Sequence, residues 1–411
     1  MELFEQFTTD FIQMTGQKSG PISPIITQSA AFAYESSEEG EGIFDGSVKK
    51  PLYSRVGNPT SNKLEGLLAH LEGGIGAIAT SSGMGAITLA TMSLLKSGDE
   101  IISIGGLFGG TYSFFTETLS RFNITTHFFH VDDIDGIKAA INDNTKIIYL
   151  ESVGNPSMAL PDIPLILDIA NDAGIISIVD NTVTPITLQP LKMGADIVVH
   201  STTKIISGNA SVLGGAAIFR AVNDGPDKLK SDRYPFFEKF IKKMGKMAMI
   251  PVAKKRSMRD FGMSPSAFSS YLTMIGLETL PIRMPRSIEN LKTVAAGLAK
   301  AGFNVNHPSL PEHPHHDRFE KIFKGYTGTL LTLDFGSKAK AFEFLNKSEL
   351  ITITANIADS RTLGLHMGST IYSDFTEDEL EFLGITPGLV RISIGLENPD
   401  AIIADFTKAA Q

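Results

Sequence analysis

Short apolar runs rich in β-branched residues alternate with amphipathic segments between residues 100 and 219. The runs occupy residues 100–104, 126–131, 146–150, 175–179, 196–199 and 215–219. Strands that are apolar on both faces and separated by helices are typical of a parallel sheet covered on both sides. This alternation predicts an α/β fold with a mainly parallel sheet.

The pattern also predicts three parts: an N-terminal arm over 1–50, a large domain over 51–260 and a smaller C-terminal α+β domain over 261–411. The arm shows little periodicity, and we expect an irregular segment packed on another surface. A long helical region over 264–301 is expected to be interrupted near Pro281 and Pro285.

The composition excludes several kinds of chemistry. The 411 residues include no cysteine, so disulfides, Cys-ligated zinc, iron–sulfur clusters and thiol nucleophiles are absent. The net charge of −9 argues against a general nucleic-acid or membrane-surface binder. The start of the chain lacks the pattern of a signal peptide, which predicts a cytoplasmic protein. The histidines at 313–316 lack a metal-ligand spacing, and we expect no metal.

Three polar clusters lie at or beyond the ends of predicted strands, where ligands bind in open α/β sheets. No G-x-G-x-x-G or Walker-type phosphate loop is present. Each cluster alone has a plainer interpretation, such as a turn, a helix cap or a surface charge. Together they offer an anion cradle, a carboxylate and an amine, the groups that pyridoxal phosphate requires. The clusters are Ser82-Gly83-Met84, Asp180, and Ser201, Thr203 and Lys204.

A set of motifs occurs in order along almost the whole chain. They are YSRVGNPT at 53–60, SGM at 82–84, ESVGNP at 151–156, VDN at 179–181, HSTTKIISG at 200–208 and VRISIG at 390–395. The set resembles the Cys/Met-metabolism family of pyridoxal-phosphate enzymes. The resemblance implies the aspartate-aminotransferase-like fold (fold type I), with a seven-stranded, mainly parallel sheet and a smaller C-terminal α+β domain. It implies pyridoxal 5'-phosphate as the cofactor.

The resemblance also implies a role for each matched residue. Lys204 would form the Schiff base with the cofactor, and Asp180 would hold its pyridine nitrogen. Arg391 would bind the substrate carboxylate together with Asn356, and Asn155 would lie near the phenolic oxygen of the cofactor. The phosphate cradle would comprise Ser82, Gly83, Met84, Ser201 and Thr203. His200 is expected to face packing.

Tyr53 and Arg55 would reach across a subunit interface to the neighbouring cofactor phosphate, and Tyr53 would also serve catalysis. A homo-oligomer is therefore expected, with small-molecule substrates as its other partners and with tetramers built from dimers that share active sites.

Two segments, 277–284 and 355–363, are similar to family members that sulfhydrylate O-acetylhomoserine. The similarity implies γ-replacement on O-acetyl-L-homoserine with sulfide, which gives L-homocysteine and acetate in methionine biosynthesis. Methionine γ-lyase and cystathionine γ-synthase activities stay open, as does a catalytically inactive pyridoxal-phosphate-binding regulator.

One position departs from the family pattern. The family usually places a tyrosine against the cofactor ring, whereas this chain has Phe108. Phenylalanine keeps the stacking surface but lacks the hydroxyl that is often assigned to protonating the γ-leaving group. Because methanethiolate needs that proton more than acetate does, Phe108 favours an activated ester of homoserine over methionine.

Overall fold

A computed structural model of the chain describes residues 2–16 and 19–411. Its larger sheet has seven strands in the order β1-β7-β6-β5-β4-β2-β3. The strand β7 runs antiparallel to β1 and β6, and the remaining pairs are parallel. The predicted α/β fold is confirmed. The strands are β1 (Gly76–Thr80), β2 (Glu100–Ile104), β3 (Thr125–Phe129), β4 (Thr145–Glu151), β5 (Ile176–Asp180), β6 (Ile197–His200) and β7 (Gly215–Phe219).

A second, five-stranded sheet lies in the C-terminal part, in the order β10-β11-β12-β9-β8. Its centre is formed by β12 and β9. The strands β8 and β11 are short and have no pattern that would predict them. The strands are β8 (Val305–Asn306), β9 (Leu330–Asp334), β10 (Thr352–Ile353), β11 (Leu363–His366) and β12 (Leu389–Ser393).

Helices cover both sheets, and their bounds follow in chain order. They are α1 (Glu2–Thr15), α2 (Ser37–Asp45), α3 (Pro59–Glu72), α4 (Gly83–Met92), α5 (Gly109–Ser113), α6 (Ile134–Ala140), α7 (Ile163–Asp172), α8 (Glu238–Met244), α9 (Met249–Ala253), α10 (Arg259–Phe261), α11 (Ala267–Lys300), α12 (His316–Lys321), α13 (Lys338–Lys347), α14 (Glu377–Phe382) and α15 (Pro399–Ala409).

The helix α3 begins and ends where local chemistry predicts. Asn58 caps its first turn by accepting a hydrogen bond from the Thr60 amide at 2.9 Å, and Pro59 fits the first helical position. Gly73 ends it in the left-handed conformation, at φ 70°. This helix places Glu72 against the strand ends that are described below.

The helix α11 runs without a break through Pro281 and Pro285, so the predicted interruption is wrong. A proline inside a helix costs about 3 kcal/mol because it removes a hydrogen bond and crowds the preceding turn. Here Leu277, Leu280 and Met284 are fully buried against the core of the large sheet. The packing of this face outweighs the local cost.

The arm is more regular than predicted, because it contains the helices α1 and α2. Phe4, Phe7 and Phe11 lie on one face of α1 and are buried in the core, and α1 packs against α11. Their spacing is that of a helix face, which is a signal that the sequence carried. Residues Met1, Gln17 and Lys18 of the predicted arm lie outside the described residues.

Within the described part of the chain, no helix is both long enough and apolar enough to cross a membrane.

Candidate active site

A cavity opens at the C-terminal ends of β4, β5 and β6, between the large sheet and the segment that follows β10. Most of the residues predicted for the site line it. They are Ser82, Gly83, Met84, Phe108, Asn155, Asp180, Ser201, Thr203, Lys204 and Arg391. The topology therefore brings together residues from distant parts of the chain, while their individual roles stay predictions.

The anion cradle is built at the start of α4. The Ser82 hydroxyl caps this helix by accepting from the Gly85 amide at 3.0 Å. A Cβ on Gly83 would lie 2.6 Å from the Cβ of Ser201, so only glycine fits between the helix and the turn. A helix N-terminus presents unpaired N–H groups and a partial positive charge, which suits a phosphate.

The second wall of the cradle is the turn that follows β6. Ser201 donates its amide to Thr182 Oγ1 at 2.8 Å, which joins this turn to the end of β5. The Thr203 hydroxyl accepts from the Gly214 amide at 3.0 Å and donates to the Gly214 carbonyl at 3.2 Å. These bonds hold both hydroxyl residues at the cavity.

Asp180 ends β5 and presents its carboxylate to the cavity. It accepts from the Thr182 amide at 3.0 Å and from the Tyr149 hydroxyl at 3.3 Å. Burial raises the pKa of Asp180, and the bonds from Thr182, the charge of His200 and the Tyr149 hydroxyl oppose that rise. A protonated ring nitrogen would complete its set of partners.

Lys204 lies in the turn after β6, and its Nζ donates to Asn356 Oδ1 at 2.8 Å. Burial is the larger cause that lowers the pKa of Lys204 to about 8, and the charge of Arg391 adds to it. The amine is therefore easier to deprotonate than that of an ordinary surface lysine. Asn356, predicted as a substrate contact, meets the amine directly.

Arg391 lies on β12 with its side chain buried at the cavity. It donates to Asn155 Oδ1 at 3.0 Å and to the Ala355 carbonyl at 3.2 Å. Among the described residues no carboxylate forms an ion pair with it, and burial lowers the pKa of Arg391 to about 10. A buried guanidinium without a carboxylate partner is well suited to bind one from a substrate.

Phe108 precedes α5 and turns its ring toward the cavity. A Cβ on Gly110 would lie 2.7 Å from Phe108 Cε1, so glycine leaves room for the ring. The Phe108 amide donates to Glu151 Oε1 at 2.7 Å. Glu151 also lines the cavity, and burial, with the Asp180 charge as a second cause, raises the pKa of Glu151 well above its usual range.

Tyr53 and Arg55 do not reach the cavity of their own chain. Tyr53 is 44% exposed. The Arg55 guanidinium lies 5.6 Å from the centre of the Tyr53 ring and donates to the Arg259 carbonyl. Their predicted action on a neighbouring subunit's cofactor phosphate stays a prediction.

Several residues that shape the site have no role assigned from the sequence. Glu151 stood inside a recognised motif but had no assigned role, and Thr182 follows directly after another motif. Tyr149 carried no signal, because an aromatic residue within a buried strand normally indicates core packing. Only the pairing of β4 with β5 brings it to Asp180.

The histidines near residue 315 serve packing in this fold. His315 Nε2 lies 3.0 Å from Asp132 Oδ2, and His315 Nδ1 accepts from the Leu160 amide at 3.0 Å. Across residues 2–16 and 19–411, no group of three or more His, Asp or Glu side chains could hold a metal ion.

The residues at the cavity fit pyridoxal phosphate. The α4 N-terminus with Ser201 and Thr203 suits its phosphate, the Asp180 carboxylate suits a protonated ring nitrogen, and the Lys204 amine suits its aldehyde. The fold and this donor set define a pyridoxal-phosphate-dependent enzyme of the aspartate-aminotransferase-like class. The sequence model of the family of Cys/Met metabolism PLP-dependent enzymes matches residues 8–411. The chain belongs to this family.

Individual relatives are similar over nearly their whole length. The O-acetyl-L-homoserine sulfhydrylase 1 of Thermus thermophilus is 35% identical over 404 residues, covering 95% of this chain and 94% of that protein. An L-methionine gamma-lyase of Fusobacterium nucleatum is 34% identical, with 95% and 94% covered.

A solved structure agrees in fold. A crystal structure of a candidate O-acetylhomoserine (thiol)-lyase from Campylobacter jejuni has a TM-score of 0.90 and 35% identity, covering 98% of this chain and 99% of that one. In that protein a lysine carries the pyridoxyl phosphate group.

Proposed function

We propose that the protein replaces the γ-acetoxy group of O-acetyl-L-homoserine with sulfide, which yields L-homocysteine and acetate. The observation that carries this proposal is a pair of buried groups at one cavity: the Lys204 amine, whose pKa is lowered, and the Arg391 guanidinium, which no carboxylate of the described residues pairs with. This pair suits an α-amino acid substrate. Sulfhydrylases of O-acetylhomoserine among the similar proteins support the choice of substrate.

Each side chain has a separate role that follows from its chemistry. Arg391 binds the α-carboxylate through a bidentate contact and is oriented by Asn155. Lys204, released from its bond to Asn356, accepts the proton from the substrate α-carbon. Pyridoxal phosphate, when bound, supplies the electron sink for the charge that this proton leaves behind. Asp180 keeps the ring nitrogen protonated, which makes that sink effective.

Phe108 gives the leaving group no hydroxyl proton donor. Acetate departs as a stable anion and needs little protonation, whereas methanethiolate needs it more. Phe108 thus supports an ester of homoserine over methionine as the substrate.

The test is a steady-state comparison of O-acetylhomoserine, O-succinylhomoserine, O-phosphohomoserine and methionine, each with and without sulfide. We expect the highest kcat/KM for O-acetylhomoserine with sulfide, with homocysteine as the product. Faster methionine cleavage would favour the γ-lyase, and a preference for O-succinylhomoserine with cysteine would favour the cystathionine γ-synthase. A protein that binds the cofactor but turns over none of these substrates would indicate the regulatory alternative.

We also propose a homo-oligomer in which Tyr53 and Arg55 complete the neighbour's site. Ile22, Phe44 and Leu213 are exposed apolar side chains, and Leu213 lies at the cavity itself, which favours coverage by another subunit. Mixing an inactive Arg55→Ala variant with an inactive Lys204→Ala variant should restore activity, because hybrid oligomers then contain intact sites. No recovery after subunit exchange would count against shared sites.

We also propose the division into an arm (1–50), a large domain (51–260) and a small domain (261–411), in which the arm serves a neighbouring subunit. Tetramer formation and the cytoplasmic location stay predictions.

A further inference from the structure

A buried acid–base cluster lies behind the sheet edge that carries the site. Glu72 ends α3 and His200 ends β6; both side chains are 0% exposed, and His200 Nε2 lies 2.7 Å from Glu72 Oε1. The side-chain amide of Asn181 donates to the same oxygen at 2.8 Å. A single carboxylate oxygen therefore joins the ends of two neighbouring strands.

Both groups that meet at Glu72 lie close in sequence to candidate catalytic residues. Asn181 follows Asp180 directly, and His200 lies four residues before Lys204. Asn181 also donates to the Leu188 carbonyl at 3.0 Å, so the loop after β5 is held at both of its ends. A movement of Glu72 would displace the strand ends on both sides of the cavity.

Stabilisation of the fold alone explains this cluster poorly. Within the part of the chain that the structure describes, Glu72 Oε2 and His200 Nδ1 have no hydrogen-bond partner. Burying a carboxylate with an unsatisfied oxygen costs desolvation that its remaining bonds do not fully return. What the cluster supplies is a fixed spacing between two strand ends.

We propose that Glu72 is a positioning residue that holds the C-terminal ends of β5 and β6 together, through Asn181 and His200. This link keeps Asp180 and Lys204 in fixed positions facing the cofactor. The inference rests on the proposed roles of Asp180 and Lys204. It predicts looser and less ordered cofactor binding when the link is broken, with the fold retained.

The experiment measures two properties of the holoenzyme variants: the dissociation constant of pyridoxal phosphate, and the visible circular dichroism that reports its fixed orientation. For Glu72→Leu we expect a dissociation constant raised about tenfold and a weaker dichroic band, because both bonds to Glu72 are lost. Glu72→Gln keeps an oxygen that accepts both bonds, and we expect it to stay within about threefold of the wild type.

A matched pair of milder variants separates positioning from stability. Asn181→Ala removes the β5 bond to Glu72, together with the bonds of Asn181 to the Leu188 carbonyl and the Thr184 hydroxyl. Ser177→Ala removes two bonds at the other end of the same strand, where the Ser177 hydroxyl donates to the Asp196 carboxylate at 3.0 Å and accepts from the Asp196 amide at 3.1 Å. Ser177, like Asn181, is fully buried. We expect Asn181→Ala to weaken cofactor binding and Ser177→Ala to leave it unchanged, whatever either does to the melting temperature.

Equal dissociation constants and dichroic bands in Asn181→Ala, Ser177→Ala and the wild type would overturn the inference, even if Glu72→Leu does not fold. A Lys204→Ala control tests the underlying site assignment separately. If that variant kept the wild-type band and activity, the assignment of the site would fail independently of Glu72.

Discussion

The ionisation of Lys204 offers the most direct test of the site. Burial is the larger cause that lowers the pKa of this lysine from 10.5 to about 8, and the Arg391 charge is the smaller. At pH 7 a pKa of 8 leaves about one amine in ten neutral, against about one in 3000 for a pKa of 10.5. The neutral form is the one that reacts with an aldehyde or accepts a proton, so its population should rise about 300-fold.

The assay is competitive acetylation of the cofactor-free protein with a trace of reagent, from about pH 6 to about pH 11. Mass spectrometry then gives the labelling of each lysine, and the midpoint for Lys204 should lie near pH 8. Lys50 is the internal control, because the hydrogen bond that it donates to Glu39 raises its pKa. Its midpoint should fall on the opposite side of the ordinary value.

Replacing Arg391 with methionine separates the two causes. Since burial dominates, the pKa of Lys204 should rise in Arg391→Met but stay closer to 8 than to 10.5. A wild-type midpoint at or above the ordinary value would refute the reasoning as a whole. An unchanged midpoint in Arg391→Met would refute only the contribution of the Arg391 charge.

Three further changes test other parts of the structure. Phe108→Tyr should raise methionine cleavage several-fold while sulfhydrylation of O-acetylhomoserine changes little, because it adds a proton donor for a poor leaving group. Tyr149→Phe removes the hydroxyl that donates to Asp180 at 3.3 Å, and should weaken cofactor affinity about fivefold, equivalent to about 1 kcal/mol. Asp196→Ala removes the buried carboxylate that pairs with Lys228 and Arg220, and should lower the free energy of unfolding in urea by about 3–5 kcal/mol.

Each of these has a defined contrary outcome. Equal methionine cleavage before and after Phe108→Tyr would remove the argument from the missing hydroxyl. Cofactor affinity unchanged in Tyr149→Phe would show that the Thr182 bond alone holds Asp180. A change below about 1 kcal/mol in Asp196→Ala would mean that the bonds of Lys228 to Asn171 and the Ile175 carbonyl are enough to hold its charge.

Much of the site could be predicted because its residues sit in local contexts with their own physical meaning. Ser82 and Gly83 open a helix after a strand, and Asp180 ends another strand, so both were expected at the ligand-binding edge of an α/β sheet. The pattern of apolar runs predicted the strands of the large sheet because burial on both faces leaves a continuous apolar signature.

The predictions that failed concern places where long-range packing overrides local preference. The prolines of α11 were expected to break the helix, but the buried apolar face that flanks them holds it continuous. The short strands β8 and β11 have no pattern long enough to identify, and they exist because β9 and β12 pair with them.

The sequence by itself determined which chemical groups the protein brings to its site: a lysine, an aspartate, an anion cradle and no thiol. The tertiary structure alone decided their electrical state and their partners. Arg391 meets Asn155 from 236 positions away, and His200 meets Glu72 from 128 positions away. Such pairs follow from strand order and burial, which no local pattern encodes, and burial is also what changes the pKa of Lys204 and Asp180.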